Sequence, residues 1–471
     1  MFSNGSNINI PQKLVPGNYL QLGLAAQKYK QRNFKELLEK RKLPEEGWRD
    51  EYIEELVHQL AALDSNNFPH NVGLGEREAR VVCKLVARRH YNFGHGIGRS
   101  GDLLEAQPKA AGSTLLSNLT NALLLDLIRT LGVTSCAGCF LVPLATGMTL
   151  TLCLQALRKS RPAAKYVLWS RIDQKSCFKA IIAAGLQPVI ITGKASSAAE
   201  ALDTNIHKFE EQIIALGADN IVCLYSTTSC FAPRNSDNII EVAKLAKRFA
   251  LPHLVNNAYG LQCMEIISNL ELANRKGRID YFVQSTDKNL LVPVGGAIVA
   301  SADDQSLQNL ASSYAGRASS SQTLDVFMTL LSLGRGGYQN LLRQRKENFD
   351  YLKHHLLQFA VAHGECVPQC ENNSISLALT LGTLGAGVTE LGAMLHTRGV
   401  SGVRVIPVGQ TKSIDGYVFK DFGSHRDDLK LPYLTVAAAL GVTRNDIDKF
   451  FEILELCWSK FSKSTRVVVG M

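Results

Sequence analysis

Apolar positions recur every three to four residues over 51–63, where Ile53, Leu56, Val57, Leu60 and Leu63 share one side, as an amphipathic helix requires. The same period predicts a helix over 76–90, with Val81, Val82, Leu85 and Val86 inward and Glu76 and Arg77 at its start. A more apolar helical run, 115–131, is interrupted by Asn118, Asn121, Asp126 and Arg129, which excludes it as a membrane span. From Phe140 onward the pattern changes. Short apolar runs at 140–144, 166–169, 188–191, 221–225, 253–255, 281–284 and 296–300 predict strands buried on both faces. Helical patterns fall between them, for example at 175–184, 205–216 and 239–249. Strands that alternate with helices predict an α/β layer fold on a mainly parallel sheet.

Downstream, a helical region is expected over 323–362, interrupted at the glycine-rich 334–337. A smaller α/β lobe should follow, with strands at 375–381 and 404–407 and helices at 389–397 and 444–457; Lys460, Lys463 and Arg466 then form a basic tail. Upstream, 28–42 carries seven Lys/Arg against two Glu, with Leu24, Phe34, Leu37 and Leu38 as apolar contacts and Pro44 and Gly47 as terminators. The expected organisation is a helical N-terminal segment (1–47), a large α/β domain (48–316) and a small C-terminal α/β domain with the basic tail (317–471).

Composition adds limits. A chain of 471 residues at 46% hydrophobic content has ample core for a two-lobed enzyme. Its net charge of +9 permits an anionic partner without requiring one. The eleven cysteines are scattered singly through apolar runs and read as reduced core residues of a cytosolic protein. Cys136 and Cys139 have metal-like spacing, but no second Cys or Cys/His pair stands at a zinc-site distance, so no metal is expected. Residues 1–12 lack the apolar stretch of a signal peptide.

The candidate chemistry centres on Lys288, in a polar turn between the runs 281–283 and 290–299. A lysine held between buried strands can be desolvated, which makes its amine nucleophilic, as a Schiff-base lysine must be. The more common role of such a lysine is a solvated surface one, so its neighbours decide. Asn256 ends a strand about thirty residues earlier. Thr146 and Gly147 open a helix just after a strand, which offers backbone N–H groups to a phosphate. Gly295 and Gly296 would let the backbone approach a flat ring. Phosphate cup, ring partner and lysine, in that chain order, is the layout of fold-type I enzymes that use pyridoxal 5′-phosphate (PLP). A further glycine-rich loop, 94–101, fits a dinucleotide pattern only by spacing, because a basic helix rather than a strand precedes it. With Arg99, Ser100 and Gln107 it suits a phosphate instead.

Six stretches, 75–78, 96–102, 171–177, 226–234, 256–260 and 287–289, together resemble the O-phosphoseryl-tRNA(Sec) selenium transferases, over nearly the whole chain. The resemblance implies a homotetrameric, cytoplasmic PLP enzyme of fold-type I that makes selenocysteinyl-tRNA(Sec) from O-phosphoseryl-tRNA(Sec) and selenophosphate, with no membrane or DNA partner. It implies that Lys288 carries PLP as a Schiff base and then acts as the base at Cα. Arg77, Thr146 and Gly147 would hold the cofactor phosphate, with Gln174 and Asn256 at the ring. Arg99, Ser100, Gln107 and Arg317 would hold the substrate phosphate. Glu76 would act as a filter that repels free phosphoserine through its α-carboxylate, and Arg275, Arg404, Lys460 and Lys463 would contact tRNA, with the N-terminal segment assisting. Asn256 stands where most fold-type I enzymes place Asp, which implies a weaker electron sink. Two other readings remain open at this point. One is a sulfur-transfer relative, either a phosphoseryl-tRNA to cysteinyl-tRNA synthase or a cysteine desulfurase, although no cysteine in a polar flexible stretch near the small lobe's start offers itself. The other is a non-catalytic tRNA-binding protein on the same fold.

Overall fold

The structure, a computed structural model, describes residues 15–195, 201–385 and 387–469. The chain forms two compact units. One runs to Leu127 and takes in Gly316–Tyr338; the other comprises Ile128–Ala315 and the chain from Gln339 onward. This division differs from the boundaries expected at 47 and 316. The N-terminal segment shares a unit with residues up to 127, and the small lobe shares one with the large sheet.

The first unit is helical. It contains α1 (Gly17–Lys40), α2 (Asp50–Ala61), α3 (Lys84–Arg89) and most of α4 (Ala111–Leu131). Phe34 and Leu37 are the buried residues of α1, and Phe34 packs on Trp48 with ring centroids 5.6 Å apart. The expected helix over 76–90 is reduced to α3. Ala79 takes a positive φ of 54°, which breaks the helix, and Glu78 accepts instead from the backbone N–H of Gly75 at 3.2 Å. Val82 and Leu85, expected inward, are exposed.

The second unit is built on a seven-stranded sheet. In chain order its elements are β1 (Gly138–Val142), α5 (Thr146–Ser160), β2 (Tyr166–Ser170), α6 (Lys175–Ala183), β3 (Gln187–Ile191), a two-stranded ribbon of β4 (Lys194–Ala195) and β5 (Leu202–Asp203), and α7 (Ile206–Leu216). Then come β6 (Ile221–Thr227), α8 (Ile239–Arg248), β7 (His253–Asn256), α9 (Met264–Lys276), β8 (Tyr281–Ser285), α10 (Thr286–Leu290), β9 (Ala297–Ser301) and α11 (Asp304–Ala311). The sheet order is β1-β9-β8-β7-β6-β2-β3. Every pairing is parallel except the two that β9 makes. All seven expected strands are present within two residues of their predicted ends. Nearly every position in them is buried, which is why they read as unbroken apolar runs.

Helix α12 (Ser321–His363) contributes to both units and is kinked at Gly334, where φ is 58°. Within the first unit the kink has a clear cause: the segment 44–48 crosses there. Trp48 N–H donates to Leu331 O at 2.8 Å and Arg335 N–H to Pro44 O at 2.9 Å. A Cβ on Gly334 would lie 2.7 Å from the Glu46 carbonyl carbon. The small lobe follows, with β10 (Ser376–Thr380), α13 (Thr389–His396), β11 (Arg404–Ile406), the hairpin β12 (Lys412–Ile414) and β13 (Tyr417–Phe419), β14 (Tyr433–Ala437) and α14 (Arg444–Val469). Its sheet order is β10-β14-β11, and the far half of α12 packs with α13 and α14 around Leu356, Leu391, Leu434 and Leu454. The expected basic tail is therefore the last turns of α14, which runs to Val469 rather than ending near 457. The Lys463 and Arg466 side chains lie outside the described residues.

Candidate active site

The carboxyl ends of β1, β2, β6, β7 and β8 lie along one edge of the large sheet, where ligands bind in open α/β folds. A cavity of about 350 Å³ opens there. Thr146 and Gly147 reach it from the start of α5, Gln174, Ser176 and Cys177 from the start of α6, Ser229 from the turn after β6, Asn256 and Ala258 from the end of β7, and Lys288 from α10. Five of the expected residues, Thr146, Gly147, Gln174, Asn256 and Lys288, are thus brought together.

Lys288 sits in a five-residue helix rather than an irregular turn. That helix is anchored on three sides. Asn289 Nδ2 donates to Ala258 O at 2.9 Å and to Ser285 O at 2.7 Å. Thr286 Oγ1 donates to Gly296 O at 2.9 Å. Gln262 Nε2 donates to Lys288 O at 2.7 Å. Gly296 therefore serves the anchor, and neither it nor Gly295 lines the cavity, contrary to the expected ring approach. The Lys288 ammonium donates to Ser285 Oγ at 2.9 Å and lies 3.5 Å from Asp287 Oδ2. Its side chain is 40% exposed, so the expected desolvation is not found. Ser285 Oγ also bonds Thr146 Oγ1 at 2.5 Å, which links the lysine to the helix start. Ala145 provides no side-chain cap for α5, whose first residues, Thr146 and Gly147, line the cavity. A Cβ on Gly147 would lie 3.2 Å from Ser176 Cβ, so the glycine lets the two helix starts close on one small cup.

Asn256 is buried. Its Oδ1 accepts from Ala258 N–H at 3.2 Å and its Nδ2 donates to Cys177 Sγ at 3.0 Å. Ser176, Cys177, Ser229, Gln262 and Ser285 were missed by the sequence reading. Of these, Ser176 and Cys177 stood inside the quoted stretch 171–177, two and three residues past Gln174. Ser229 stood inside the quoted stretch 226–234 and Ser285 in the polar turn that carries Lys288; Gln262 alone lay outside any such stretch. Two charged residues of the quoted stretches prove structural. Arg171 pairs with Asp173 at 2.9 Å and Asp427 at 2.7 Å, and Arg234 pairs with Asp237 at 2.9 Å, all buried except Asp427.

The expected substrate-phosphate residues, with Arg77 and Glu76, lie in the first unit. Gly98 takes φ 73°, and the Ile97 N–H donates to Ala318 O at 2.9 Å with the reverse bond at 3.1 Å, so the glycine-rich loop is paired to the strip that carries Arg317. A pocket of about 230 Å³ results, lined by Arg77, Ser100, Gln107, Lys109, Gly316 and Arg317. No carboxylate lines it. The Nε and Nη2 atoms of Arg317 are buried without a partner, and burial together with the nearby Arg77 charge depresses its pKa. Arg77, expected at the cofactor phosphate, thus lines the same pocket as Arg317, Ser100 and Gln107. Arg99 does not line this pocket; its guanidinium meets Glu105 at 3.3 Å. Lys109, not anticipated, pairs with Glu78 at 2.5 Å. Glu76 is an exposed loop residue 4.0 Å from Arg77, not a helix-start residue, and shares a neighbouring pocket with Arg77, His95 and Arg317.

Of the expected tRNA contacts, Arg275 ends α9 and pairs with Glu271 at 2.5 Å, while the Arg404 guanidinium stacks 4.0 Å above the ring of Phe231, a cavity-lining residue. Lys460 lies on α14. Cys136 and Cys139 are buried, and burial pushes the Cys136 thiol up to about 12. Cys366, in the loop that begins the small lobe, is exposed, a cysteine the sequence reading passed over; it does not line the cavity.

Similarity to known proteins agrees with this geometry. The family described as O-phosphoseryl-tRNA(Sec) selenium transferase, SepSecS, matches residues 63–459. The protein of that name from Dictyostelium discoideum is 43% identical over 97% of this chain and all of its own. That from Caenorhabditis elegans is 42% identical over 90% of this chain and 89% of its own. A crystal structure of an archaeal O-phosphoseryl-tRNA(Sec) selenium transferase superposes with a TM-score of 0.87 at 30% identity, covering 94% of this chain and 98% of the other. A sphingosine-1-phosphate lyase from Burkholderia pseudomallei, 13% identical with a TM-score of 0.57 over 97% and 93% of the two chains, shares the fold, that of the fold-type I PLP enzymes. With a matched family model over most of its length and relatives of this identity, the chain belongs to the O-phosphoseryl-tRNA(Sec) selenium transferase family.

Proposed function

We propose that this chain converts O-phosphoseryl-tRNA(Sec) to selenocysteinyl-tRNA(Sec) with selenophosphate as selenium donor, using PLP. The observation that carries the reading is the cavity itself: a lysine amine, an uncapped helix start and a buried amide converge on one sheet edge. These residues fit PLP. The α5 N–H groups with Thr146, Ser176 and the Gly147 cup suit its phosphate, Asn256 its ring nitrogen, Gln174 its ring, and Lys288 its aldehyde. When bound, PLP supplies an electron sink that weakens the substrate Cα–H bond.

The protein's own groups do the rest. Lys288 Nζ, once released, takes the proton from Cα and returns it. Phosphate leaves Cβ, the selenium of selenophosphate bonds there, and water then cleaves the P–Se bond, which releases a second phosphate. Arg317, Ser100 and Gln107, which line one pocket with Arg77, hold the phosphate of the phosphoserine, and Arg99 joins them once it leaves Glu105. The three cations that line this pocket, Arg77, Lys109 and Arg317, and its lack of a lining carboxylate support a dianionic group. Glu76 repels any ligand with an α-carboxylate, which phosphoserine loses on esterification to tRNA.

Arg275, Arg404, Lys460 and Lys463 contact the tRNA backbone, so binding should weaken steeply with salt. Val72, Leu74 and Val82, each at least 80% exposed, support association of the chain into a homotetramer. We place the enzyme in the cytoplasm; no helix among the described residues is long and apolar enough to cross a membrane. A desulfurase would need a reactive cysteine at the lysine, and Cys177, which lines the cavity, is buried with its thiol pKa raised.

The test offers the full chain phosphoseryl-tRNA(Sec) with PLP and selenophosphate and identifies the amino acid left on the tRNA. Selenocysteine is expected. Unchanged phosphoserine, or cysteine formed equally well from a sulfur donor, would overturn the reading.

A further inference from the structure

Asn256 carries a constraint that its position alone does not reveal. The side chain is 1% exposed and lines the cavity. A backbone N–H can only donate, so the bond from Ala258 N–H at 3.2 Å fixes which amide atom is oxygen. The amide nitrogen then faces α6, where Nδ2 donates to Cys177 Sγ at 3.0 Å. Gln174 Oε1, 3.5 Å away, accepts from the Cys177 S–H, with the Ser176 and Tyr225 hydroxyls also beside the thiol. Burial raises the Cys177 pKa, so the group stays a thiol at neutral pH and keeps both roles. Gln174, Cys177 and Asn256 thus form a hydrogen-bond chain with one direction. It leaves one N–H of the Asn256 amide without a partner among the described residues.

The charges around the cavity matter next. Asp287 is the one carboxylate among its lining residues, and it lies 3.5 Å from the Lys288 ammonium. Among the described lining residues no other anion stands by to hold a proton on a pyridine nitrogen. A bare ring nitrogen is an acceptor and suits an amide N–H; a protonated one would need an acceptor opposite it.

We infer that Cys177 is a positioning residue for the cofactor ring: it holds the Asn256 amide with an N–H turned toward the ring nitrogen, which stays unprotonated. The inference rests on the PLP reading above. Its consequence is a weak electron sink by construction. That suffices for loss of phosphate, a good leaving group, and disfavours side reactions that need a fully delocalised carbanion. Cys177 accordingly acts through hydrogen-bond direction rather than as a nucleophile.

The experiment reconstitutes the full chain with PLP labelled with ¹⁵N at the ring nitrogen and records its ¹⁵N resonance. Wild type should fall in the unprotonated range and stay there across neutral pH. Asn256→Asp should move it to the protonated range. Cys177→Ala should shift the wild-type resonance or make it pH-dependent, and Cys177→Ser, whose hydroxyl can still accept, should restore it. A protonated wild-type nitrogen overturns the inference without any variant, so a Cys177→Ala chain that fails to fold does not protect it. A Cys177→Ala resonance identical to wild type overturns it as well. A chain that forms no Schiff base with PLP at all would instead bring down the proposed function, and this inference with it.

Discussion

Arg317 allows a prediction with two opposite signs. Its Nε and Nη2 are buried without partners, and its pKa is depressed by burial and by Arg77. In the free chain the guanidinium is therefore a cost. Arg317→Met keeps most of the volume and removes the charge, so the ligand-free variant should melt at the same temperature or higher. With phosphate present the sign reverses. Each charge-assisted bond contributes about 1.5–3 kcal/mol, so a loss of about 3 kcal/mol overall corresponds to roughly 150-fold weaker binding. At a phosphate concentration of about 100 times the wild-type Kd, wild type gains about 2.7 kcal/mol of stability; the variant, at about 0.7 times its own Kd, gains only about 0.3 kcal/mol. Melting temperatures with and without inorganic phosphate, and kcat/KM on phosphoseryl-tRNA, read both effects. Arg99→Ala should lose less, because Glu105 must first release that guanidinium. Equal stabilisation of Arg317→Met and wild type by phosphate would show that the pocket is not an anion site. Loss of PLP in place of phosphate would assign the arginine to the cofactor.

Lys288→Ala should abolish the Schiff-base absorbance and all turnover yet cost less than about 1 kcal/mol of stability in a urea titration, since a part-exposed ion pair contributes little; covalent PLP in the variant would refute the assignment. Glu76→Gln should let free phosphoserine perturb the cofactor spectrum, and an unchanged rejection would leave selectivity to tRNA contacts alone. Burial lowers His253 to about 4 and His425 to about 3, against about 6.5 when unfolded. The unfolded chain thus takes up protons first, so stability is full above about pH 6.5 and falls as pH drops toward 4. For His253 the loss is about 3 kcal/mol. Urea midpoints should track this slope, and His253→Gln should flatten it.

The large sheet was legible because burial on both faces erases the polar alternation that makes strands ambiguous. Runs such as Val283 with its neighbours, or Ile221 through Tyr225, can be little else. The segment 76–90 misled for the converse reason. Its 3.6-residue period is real, but the apolar residues face outward on the isolated chain, and Ala79 breaks the helix through a backbone conformation that no side-chain pattern encodes. Strand β14 and the β12–β13 hairpin were missed because three- to five-residue strands carry little periodicity, and the pairing partners of β14 lie tens of residues away along the chain.

The same distinction governs the site. Lys288, Asn256 and Thr146 each follow a strand, so chain order alone placed them on one sheet edge, and the cavity assembled as expected. What order could not supply is direction. Ser285 links the lysine to the helix start, yet as one residue of the polar turn before Lys288 it carried no assigned role. Cys177 sat inside a recognised stretch as one more core cysteine; only the Ala258 N–H, by fixing the amide oxygen, shows which way the Asn256 nitrogen points. A sequence names the groups that can donate and accept. Once all but one donor of an amide is committed, the remaining N–H dictates the protonation state of whatever faces it. On the inference drawn above, a neutral amide fixed by a thiol sets a limit that a carboxylate would remove, and the strength of the electron sink would be a property of hydrogen-bond direction rather than of charge.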